Sequence, residues 1–160
     1  VSALAFASKA ESWLSMQVNN SLTYTLISSS YKINSMAKIK TFEGACKLLK
    51  LDPAKVLPKV TGMPKHHQEA TVAHAKLVII AEALNMEANN GKRWEPDWTN
   101  GNWDKYYPWF RMSGSGLSFD DYVFQISYSY VGSRLCYISS DVAEYAGKTF
   151  KKLYQQYFCM

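Results

Sequence analysis

The sequence predicts an α+β fold with N-terminal helices, one long central helix, a small antiparallel three-stranded sheet and a C-terminal amphipathic helix. Apolar residues recur at helical spacing between residues 41 and 89, which indicates the helical half. From Lys105 the side chains alternate in strand-like runs, which indicates the sheet, and after Ser140 the spacing is helical again. A chain of 160 residues is long enough for one hydrophobic core.

Residues 1–35 differ in composition from the rest and are interpreted as a disordered tail or a gene-calling extension. They contain nine serines and few charges, and they show no sustained helical or strand period. Met36 then opens Met-Ala-Lys-Ile-Lys, which looks like a bacterial start. A secretory signal is the alternative, but the basic region and the apolar stretch of about 7 to 15 residues that it needs are missing. Residues 36–160 are predicted to form a single α+β domain.

The helical half begins at Thr41, which is a good N-cap for a helix with one apolar face. That face holds Phe42, Ala45, Cys46, Leu48 and Leu49. Asp52 and Pro53 predict a second, short helix that ends near Leu57, because Asp suits the N-cap and Pro the first helical position.

The central helix is predicted to run from Pro64 to about Asn89, where the following Asn-Gly forms a typical helix end. Its apolar residues include Val72, Ala75, Leu77, Val78, Ile80, Ala81 and Leu84. The helix also carries all three histidines of the chain, His66, His67 and His74. Zinc-binding helices place two ligands four residues apart with a further ligand nearby. Solvent-facing or capping histidines are therefore favoured over a metal site.

Residues 92–104 form the tryptophan loop, with Trp94, Trp98 and Trp103 inside ten residues. Loops rarely place tryptophan in water, because each ring buries about 150–250 Å². We expect the rings to seal the helical half against the sheet. Stacking on a ligand is the alternative.

The sheet is predicted to start with the strand Lys105–Met112, an edge strand because Pro108 cannot donate to a ladder. Ser113–Gly116 makes the hairpin turn, and Leu117–Phe124 returns as the second strand. A third strand is predicted around Tyr128–Ile138.

One face of this sheet is predicted to interleave cations with aromatic rings. The candidate nucleic-acid-binding residues are Lys105, Tyr107, Trp109, Arg111, Tyr128, Tyr130 and Arg134. Cations suit phosphates, and bases stack on flat rings at about 1–3 kcal/mol per base. Helices over this face would bury the platform, and Asp120 and Asp121 place negative charge beside it.

The last helix is predicted to begin at Ser140–Asp141, with Asp141 and Glu144 in a capping-box arrangement. Its core stripe is Ala143, Ala146, Phe150, Leu153 and Tyr157. Lysines crowd the opposite side near the C-terminal end, where they suit the helix dipole.

The sequence contains no Gly-rich phosphate loop, no serine elbow between glycines and no His-Glu-x-x-His motif. Asp120 and Asp121 are adjacent, so in a strand they point to opposite faces and do not pair on one substrate. We therefore predict a protein that is not an enzyme and needs no cofactor and no metal.

The three cysteines are odd in number and widely spaced, which favours a reducing, cytoplasmic setting over a disulfide framework. No window approaches the roughly 18 apolar residues of a spanning helix, so no membrane partner is predicted. The net charge of +5 is compatible with nucleic acid or an acidic partner.

The chain resembles a group of small uncharacterised proteins of Bacteroidales phages and prophages. The resemblance is clearest in Tyr106–Phe110, Val131–Tyr137 and Ala143–Lys148. The resemblance covers residues 36–160. It implies a phage or mobile-element origin and transfers no catalytic residue.

Two functions are predicted. The first is a non-enzymatic interaction protein with an unknown protein partner of phage or host, in the cytoplasm of a bacterial host cell. The alternative is an accessory protein that binds single-stranded nucleic acid on the basic and aromatic face. Exposure of Tyr107 and Trp109 beside Arg111 and Arg134 separates the two.

Overall fold

The computed structural model describes residues 39–114, 116–126 and 133–159, which form four α-helices, one β-hairpin and a short 3₁₀ helix. The fold of this part of the chain is α+β. None of these helices is both long enough and apolar enough to cross a membrane. The tail predicted for residues 1–35 lies outside the described residues.

Helix α1 spans Phe42–Leu49 and is capped at both ends by local hydrogen bonds. The Thr41 hydroxyl accepts a hydrogen bond from the Gly44 N–H at 3.1 Å, as expected of an N-cap. Lys50 ends the helix in the left-handed conformation at φ 57°, and its N–H donates to carbonyls of the last turn. The buried residues of α1 are Phe42, Ala45 and Cys46.

The predicted second helix is not confirmed, because residues 52–57 form turns. The Asp52 carboxylate caps the first turn by accepting a hydrogen bond from the Ala54 N–H at 3.0 Å. The turn does not extend, since Leu57 precedes Pro58 and proline disfavours helical backbone in the residue before it. Within the described residues, α1 is therefore the one helix before the central helix.

Helix α2 spans Lys65–Ala88 and confirms the predicted central helix. Pro64 and Asn89 occupy its cap positions, and the positive φ angles of Asn90 and Gly91, 56° and 77°, turn the chain away. The buried residues of α2 are Ala73, Leu77, Ile79, Ile80, Ala81, Ala83, Leu84, Asn85 and Ala88. They cover more than one side of the helix, as expected of a helix packed on several sides.

Strands β1, Lys105–Ser113, and β2, Gly116–Gln125, form an antiparallel hairpin. The register shifts between Trp109 and Phe110, where Asp120 of β2 has no cross-strand partner. Such an extra residue is a β-bulge, which bends the strand and increases its twist.

The predicted third strand around Tyr128–Ile138 is not confirmed. Residues 127–132 lie outside the described residues, and Ser133–Leu135 form a 3₁₀ helix. Tyr137 makes an isolated antiparallel bridge to Tyr106 of β1.

Asn85 of α2 takes the place of a further strand beside this segment. Its side-chain amide donates to the Cys136 carbonyl and accepts from the Ile138 N–H, both at 2.9 Å. Tyr137, between them, exchanges both backbone hydrogen bonds with Tyr106. The backbone groups from the Cys136 carbonyl to the Ile138 N–H therefore have hydrogen-bond partners without a longer strand.

The C-terminal part forms two helices rather than the single predicted one, α3 at Ser140–Thr149 and α4 at Lys151–Phe158. The N-cap of α3 is Ser139 rather than Asp141, and its hydroxyl accepts a backbone N–H of the first turn at 3.4 Å. Phe150, with φ −106°, separates the helices and turns a buried side chain into the core. Its carbonyl accepts hydrogen bonds from residues three and four positions on, so a tight turn joins α3 to α4.

The core draws buried residues from all four helices and from β2. Tyr137 and Tyr154 are fully buried in it, with their hydroxyl oxygens 2.9 Å apart. Gly147 lets α3 approach the hairpin closely. A Cβ at this position would lie 2.6 Å from Cε2 of Phe119 and 2.9 Å from Cβ of Pro108.

Candidate interaction surface

The two faces of the hairpin have different surroundings. On one face Pro108 and Phe119 contact α3 at Gly147, and the Phe110 ring lies 4.7 Å from the Tyr154 ring between centroids. Helices α3 and α4 therefore cover this face at Pro108, Phe110 and Phe119. The opposite face carries the candidate nucleic-acid-binding residues of β1.

Lys105, a candidate phosphate ligand in the sequence, is completely buried. Its Nζ donates to the Ile126 carbonyl at 2.7 Å and to the Asn100 carbonyl at 3.3 Å. The same ammonium lies 5.3 Å from the ring centroid of Trp98 and 5.5 Å from that of Trp103. Lys105 thus joins the tryptophan loop to the hairpin, and this placement does not offer its charge to a phosphate at the surface.

The tryptophan loop packs on itself and on α2. The rings of Trp94 and Trp103 meet edge to face with centroids 6.0 Å apart, and Trp94 Nε1 is buried with no hydrogen-bond partner among the described residues. Arg93 reaches the Glu82 carboxylate of α2 at 3.8 Å. These contacts agree with the interpretation that the loop seals the helical half against the sheet.

Tyr107 and Cys136 lie together on the inner part of this face. Burial raises the pKa of the Cys136 thiol to about 11, and a hydrogen bond with the Tyr107 side chain is among the smaller effects that lower it. Tyr107 is itself half-buried. It therefore does not present an open ring for stacking.

Arg134 is exposed, but the structure places it in a different cavity from Trp109 and Arg111. That cavity has a volume of about 350 Å³, and Trp94 and Trp98 also line it. Tyr128 and Tyr130, the two other candidates, lie outside the described residues. The predicted seven-residue platform is thus not assembled as one surface by the residues that the structure describes.

Trp109 and Arg111 are the candidates of β1 that remain open. The Trp109 side chain is 55% exposed. Arg111 is exposed and donates from Nη2 to Asp120 Oδ2 at 3.2 Å. This end of the face therefore presents one exposed ring, Trp109, and one exposed cation, Arg111, which is already paired with Asp120.

A groove of about 760 Å³ follows β1, and we name it the β1 groove. It is lined by Tyr107, Pro108, Trp109, Phe110, Met112, Leu117, Val123, Gln125 and Phe158. Trp109, Met112 and Phe158 are 55%, 61% and 50% exposed. Large apolar side chains grouped at the surface are typical of interaction sites.

Met112 and Phe158 were missed as candidate surface residues by sequence reasoning. Met112 lies on the same face of the predicted strand as Pro108 and Phe110, which face the helices, and Phe158 follows the apolar stripe of the last helix, so both patterns predict burial. The signal that was available is position, because Met112 is next to the hairpin turn and Phe158 is in the last helical turn.

The backbone of β1 has an open side. β1 pairs with β2 on one side, and on the other Tyr106 exchanges backbone hydrogen bonds with Tyr137 at 3.0 and 2.8 Å. Alternate residues of an antiparallel strand direct their backbone groups to the same side, so Pro108, Phe110 and Met112 follow Tyr106. Among the described residues, none bonds to the backbone of Phe110 or Met112 on that side. With respect to the described residues, this stretch of β1 is therefore an unpaired strand edge beside the groove.

The histidines are not gathered into a site. His66 and His67 are exposed in the first turn of α2, and the His74 ring lies 4.9 Å from the Tyr157 ring between centroids. Within residues 39–114, 116–126 and 133–159, no group of three or more His, Cys, Asp or Glu side chains is placed to hold a metal ion.

No protein-family model matches the chain, and neither a curated protein nor a solved structure matches it. The geometry of the β1 groove is therefore the basis for assigning a function. The phage or prophage origin implied by the sequence resemblance stays a prediction.

Proposed function

We propose that this chain is a non-enzymatic interaction protein that binds an extended segment of a protein partner along the β1 groove. In this proposal it is a phage or mobile-element protein that acts in the cytoplasm of a bacterial host. The observation that carries the proposal is a strand edge that no described residue pairs with, directly beside the exposed side chains of Trp109, Met112 and Phe158. A segment added to this edge gains backbone hydrogen bonds while its side chains enter the apolar groove.

Trp109 is the expected anchor of the interaction. Interface hot spots are enriched in tryptophan, and truncating one costs about 2 kcal/mol or more. More than half of the Trp109 side chain is still available for burial. Met112 adds an unbranched, polarisable side chain that adapts to different partner surfaces.

The test compares matched variants with a purified partner. Proteins captured by the full chain from host lysate are identified and purified, and their binding is measured by titration calorimetry. Trp109→Ala is expected to raise the Kd at least about tenfold, since hot-spot truncation costs more than 1.4 kcal/mol. Phe124→Ala is the control, because Phe124 is similarly exposed but does not line the groove. Equal effects of the two substitutions would contradict the proposed site.

Single-stranded nucleic acid is the second candidate ligand, favoured by the open ring of Trp109 two residues from the cation of Arg111. The ring offers stacking at about 1–3 kcal/mol per base, and the guanidinium offers a phosphate contact. The pairing of Arg111 with Asp120 and the burial of Lys105 leave fewer open cations here than the sequence predicted.

Fluorescence anisotropy with short labelled single-stranded DNA and RNA tests the second candidate. Affinity that falls steeply with salt, and that Trp109→Ala and Arg111→Ala each abolish, would establish nucleic-acid binding. No binding at low salt removes this candidate and leaves the protein-interaction proposal.

A further inference from the structure

The connection between α1 and α2 carries most of the net positive charge of the chain. Residues 47–67, which we name the lysine segment, contain five lysines and one acidic residue, so they hold +4 of the net charge of +5. The lysines are Lys47, Lys50, Lys55, Lys59 and Lys65, and all five are exposed. Exposed cations gathered in one part of a chain are typical of surfaces that bind polyanions.

The fold presents these lysines to water. Val56 and Leu57 pack against the hydrophobic core, and Lys55 and Lys59, on either side of them, remain exposed. Successive lysines of the segment are three to six residues apart. Their neighbouring Cα atoms are therefore at most about 20 Å apart, even if the chain between them is fully extended. The lysines lie together where the end of α1 connects to the start of α2.

Most of these charges have no acidic partner in the described part of the chain. Lys55 pairs with Asp52 at 3.3 Å, and the other four lysines form no ion pair with a described residue. Of the acids that flank the segment, Glu69 already accepts a hydrogen bond from Gln156 of α4, and Glu43 lies at the opposite end of α1. The segment therefore offers four open cations to a ligand.

We propose that the lysine segment binds the phosphate backbone of a nucleic-acid duplex, DNA or RNA, without reading its sequence. A DNA duplex carries one negative charge per about 1.7 Å of its axis, so several phosphates lie within reach of lysines on one loop. Each contact releases condensed counterions, and this release drives binding. The inference goes beyond the proposed function, because no residue of the segment lines the β1 groove.

The composition of the segment favours a duplex over other polyanions. It contains no Trp, Tyr or Phe on which the bases of a single strand would stack. Anionic lipid surfaces are typically bound by amphipathic helices that insert an apolar face. Val56 and Leu57 face the core instead, and the exposed apolar side chains Leu51 and Met63 lie outside the helices.

Fluorescence anisotropy of the full chain with labelled DNA and RNA duplexes of equal length tests the inference. For DNA, four phosphate contacts predict that log K falls with log salt concentration at a slope of about −3.6. The affinity should therefore fall about 150-fold between about 50 and 200 mM salt. Comparison of the two duplexes distinguishes a DNA ligand from an RNA ligand.

Two double variants that remove the same net charge test the location. Lys47→Gln with Lys59→Gln removes two contacts, so the slope should fall to about −1.8 and the Kd at about 50 mM salt should rise at least about tenfold. The control is Lys92→Gln with Lys152→Gln, since both residues are exposed lysines outside the segment. The control should keep the slope of the parent chain. Thermal unfolding of both variants checks that the fold is retained.

The inference is overturned if neither duplex binds at low salt. Equal losses of affinity in the two double variants also overturn it, because binding then follows net charge alone. Tighter binding of a single strand than of the duplex does the same. So does binding of phosphatidylcholine–phosphatidylserine vesicles in place of the duplex, which assigns the segment to a membrane surface.

Trp109→Ala separates this site from the β1 groove. Duplex binding should be unchanged in this variant, and its loss would overturn the inference by placing the ligand at the groove. Unchanged duplex binding in a Trp109→Ala protein that no longer binds its protein partner supports both proposals. A chain that binds a protein partner through Trp109 but binds no duplex removes this inference and leaves the proposed function standing.

Discussion

Asn85 and Lys105 are the buried polar residues in the described part of the chain, and each satisfies backbone groups that regular secondary structure leaves unpaired. Asn85 bonds to the backbone on both sides of Tyr137, and Lys105 bonds to carbonyls of the tryptophan loop and of the end of β2. A buried polar group that loses its partner costs about 1–3 kcal/mol. These two side chains therefore fix where the irregular segments lie.

Asn85→Ala is expected to lower the free energy of unfolding by about 3 kcal/mol, because two backbone groups lose their partners at about 1–3 kcal/mol each. The control on the same helix is Asn89→Ala. The Asn89 side chain bonds to the Lys92 and Arg93 carbonyls at an exposed position, where water replaces it, so a loss below about 1 kcal/mol is expected. Urea denaturation measures both. Equal losses would show that Asn85 does not hold the segment.

At the scale of elements, the contact between α3 and the hairpin depends on Gly147. A methyl group there meets the Phe119 ring and Pro108 at distances that side chains do not tolerate. Gly147→Ala raises helix propensity by about 0.5–1 kcal/mol, but overpacking of this kind costs about 1–3 kcal/mol. We expect a net loss of stability of about 1–2 kcal/mol.

Gly62→Ala is the matched control for Gly147→Ala, because no heavy atom lies within 4 Å of the added methyl group at Gly62. Thermal or urea unfolding should show little change in that variant. Adding Phe119→Leu to Gly147→Ala should recover part of the loss, since it shortens the side chain that the methyl group meets. A Gly147→Ala protein as stable as the parent would place α3 farther from the hairpin than the structure has it.

The elements that could be predicted from the sequence are those with a long, uninterrupted pattern. The helix Lys65–Ala88 and the hairpin follow from period and from turn residues. The third strand, predicted from periodicity, is not confirmed. Periodicity does not report that the Cys136 carbonyl and the Ile138 N–H bond to Asn85, a side chain more than fifty residues away. The single predicted C-terminal helix was wrong because period does not report the tight turn at Phe150.

The sequence places part of the candidate site. Strand alternation indicates which side chains of β1 face away from the helices, but it does not report contacts made by distant segments. Trp109 and Arg111 are open as alternation places them, away from the helices. Lys105 shares their alternation but is buried by Trp98 and Trp103 of the preceding loop, and no strand pattern encodes a loop folding back. Phe158 completes the groove only because α4 ends beside β1.

At the scale of the whole molecule, buried titratable groups gather where residues 136 and 137 meet the helices. Burial raises the pKa of Tyr137 and of Tyr154, whose hydroxyls share one hydrogen bond, and it raises the pKa of Cys136 to about 11. All three groups are neutral in their protonated form. The folded chain therefore keeps their protons to higher pH than the unfolded chain does.

The stability of the protein is expected to fall in alkali, beginning with Cys136. Its pKa is 9.0 without the fold and about 11 in it, so its contribution is complete below pH 9 and is lost as the pH rises towards 11. The tyrosines add to the loss as the pH rises through about 10, the ordinary pKa of that side chain. Between pH 8 and pH 10 the Cys136 share amounts to about 1.4 kcal/mol.

Urea denaturation under reducing conditions at pH 8, 9 and 10 measures this loss in the parent chain and in Cys136→Ala. The substitution lowers stability at every pH because it leaves a small cavity, so the readout is the slope and not the absolute value. The parent is expected to lose about 1.4 kcal/mol more than the variant from pH 8 to pH 10. If stability falls with pH equally in the two proteins, the Cys136 thiol has the same pKa in the folded and the unfolded chain. The segment around Tyr137 would then be open to solvent.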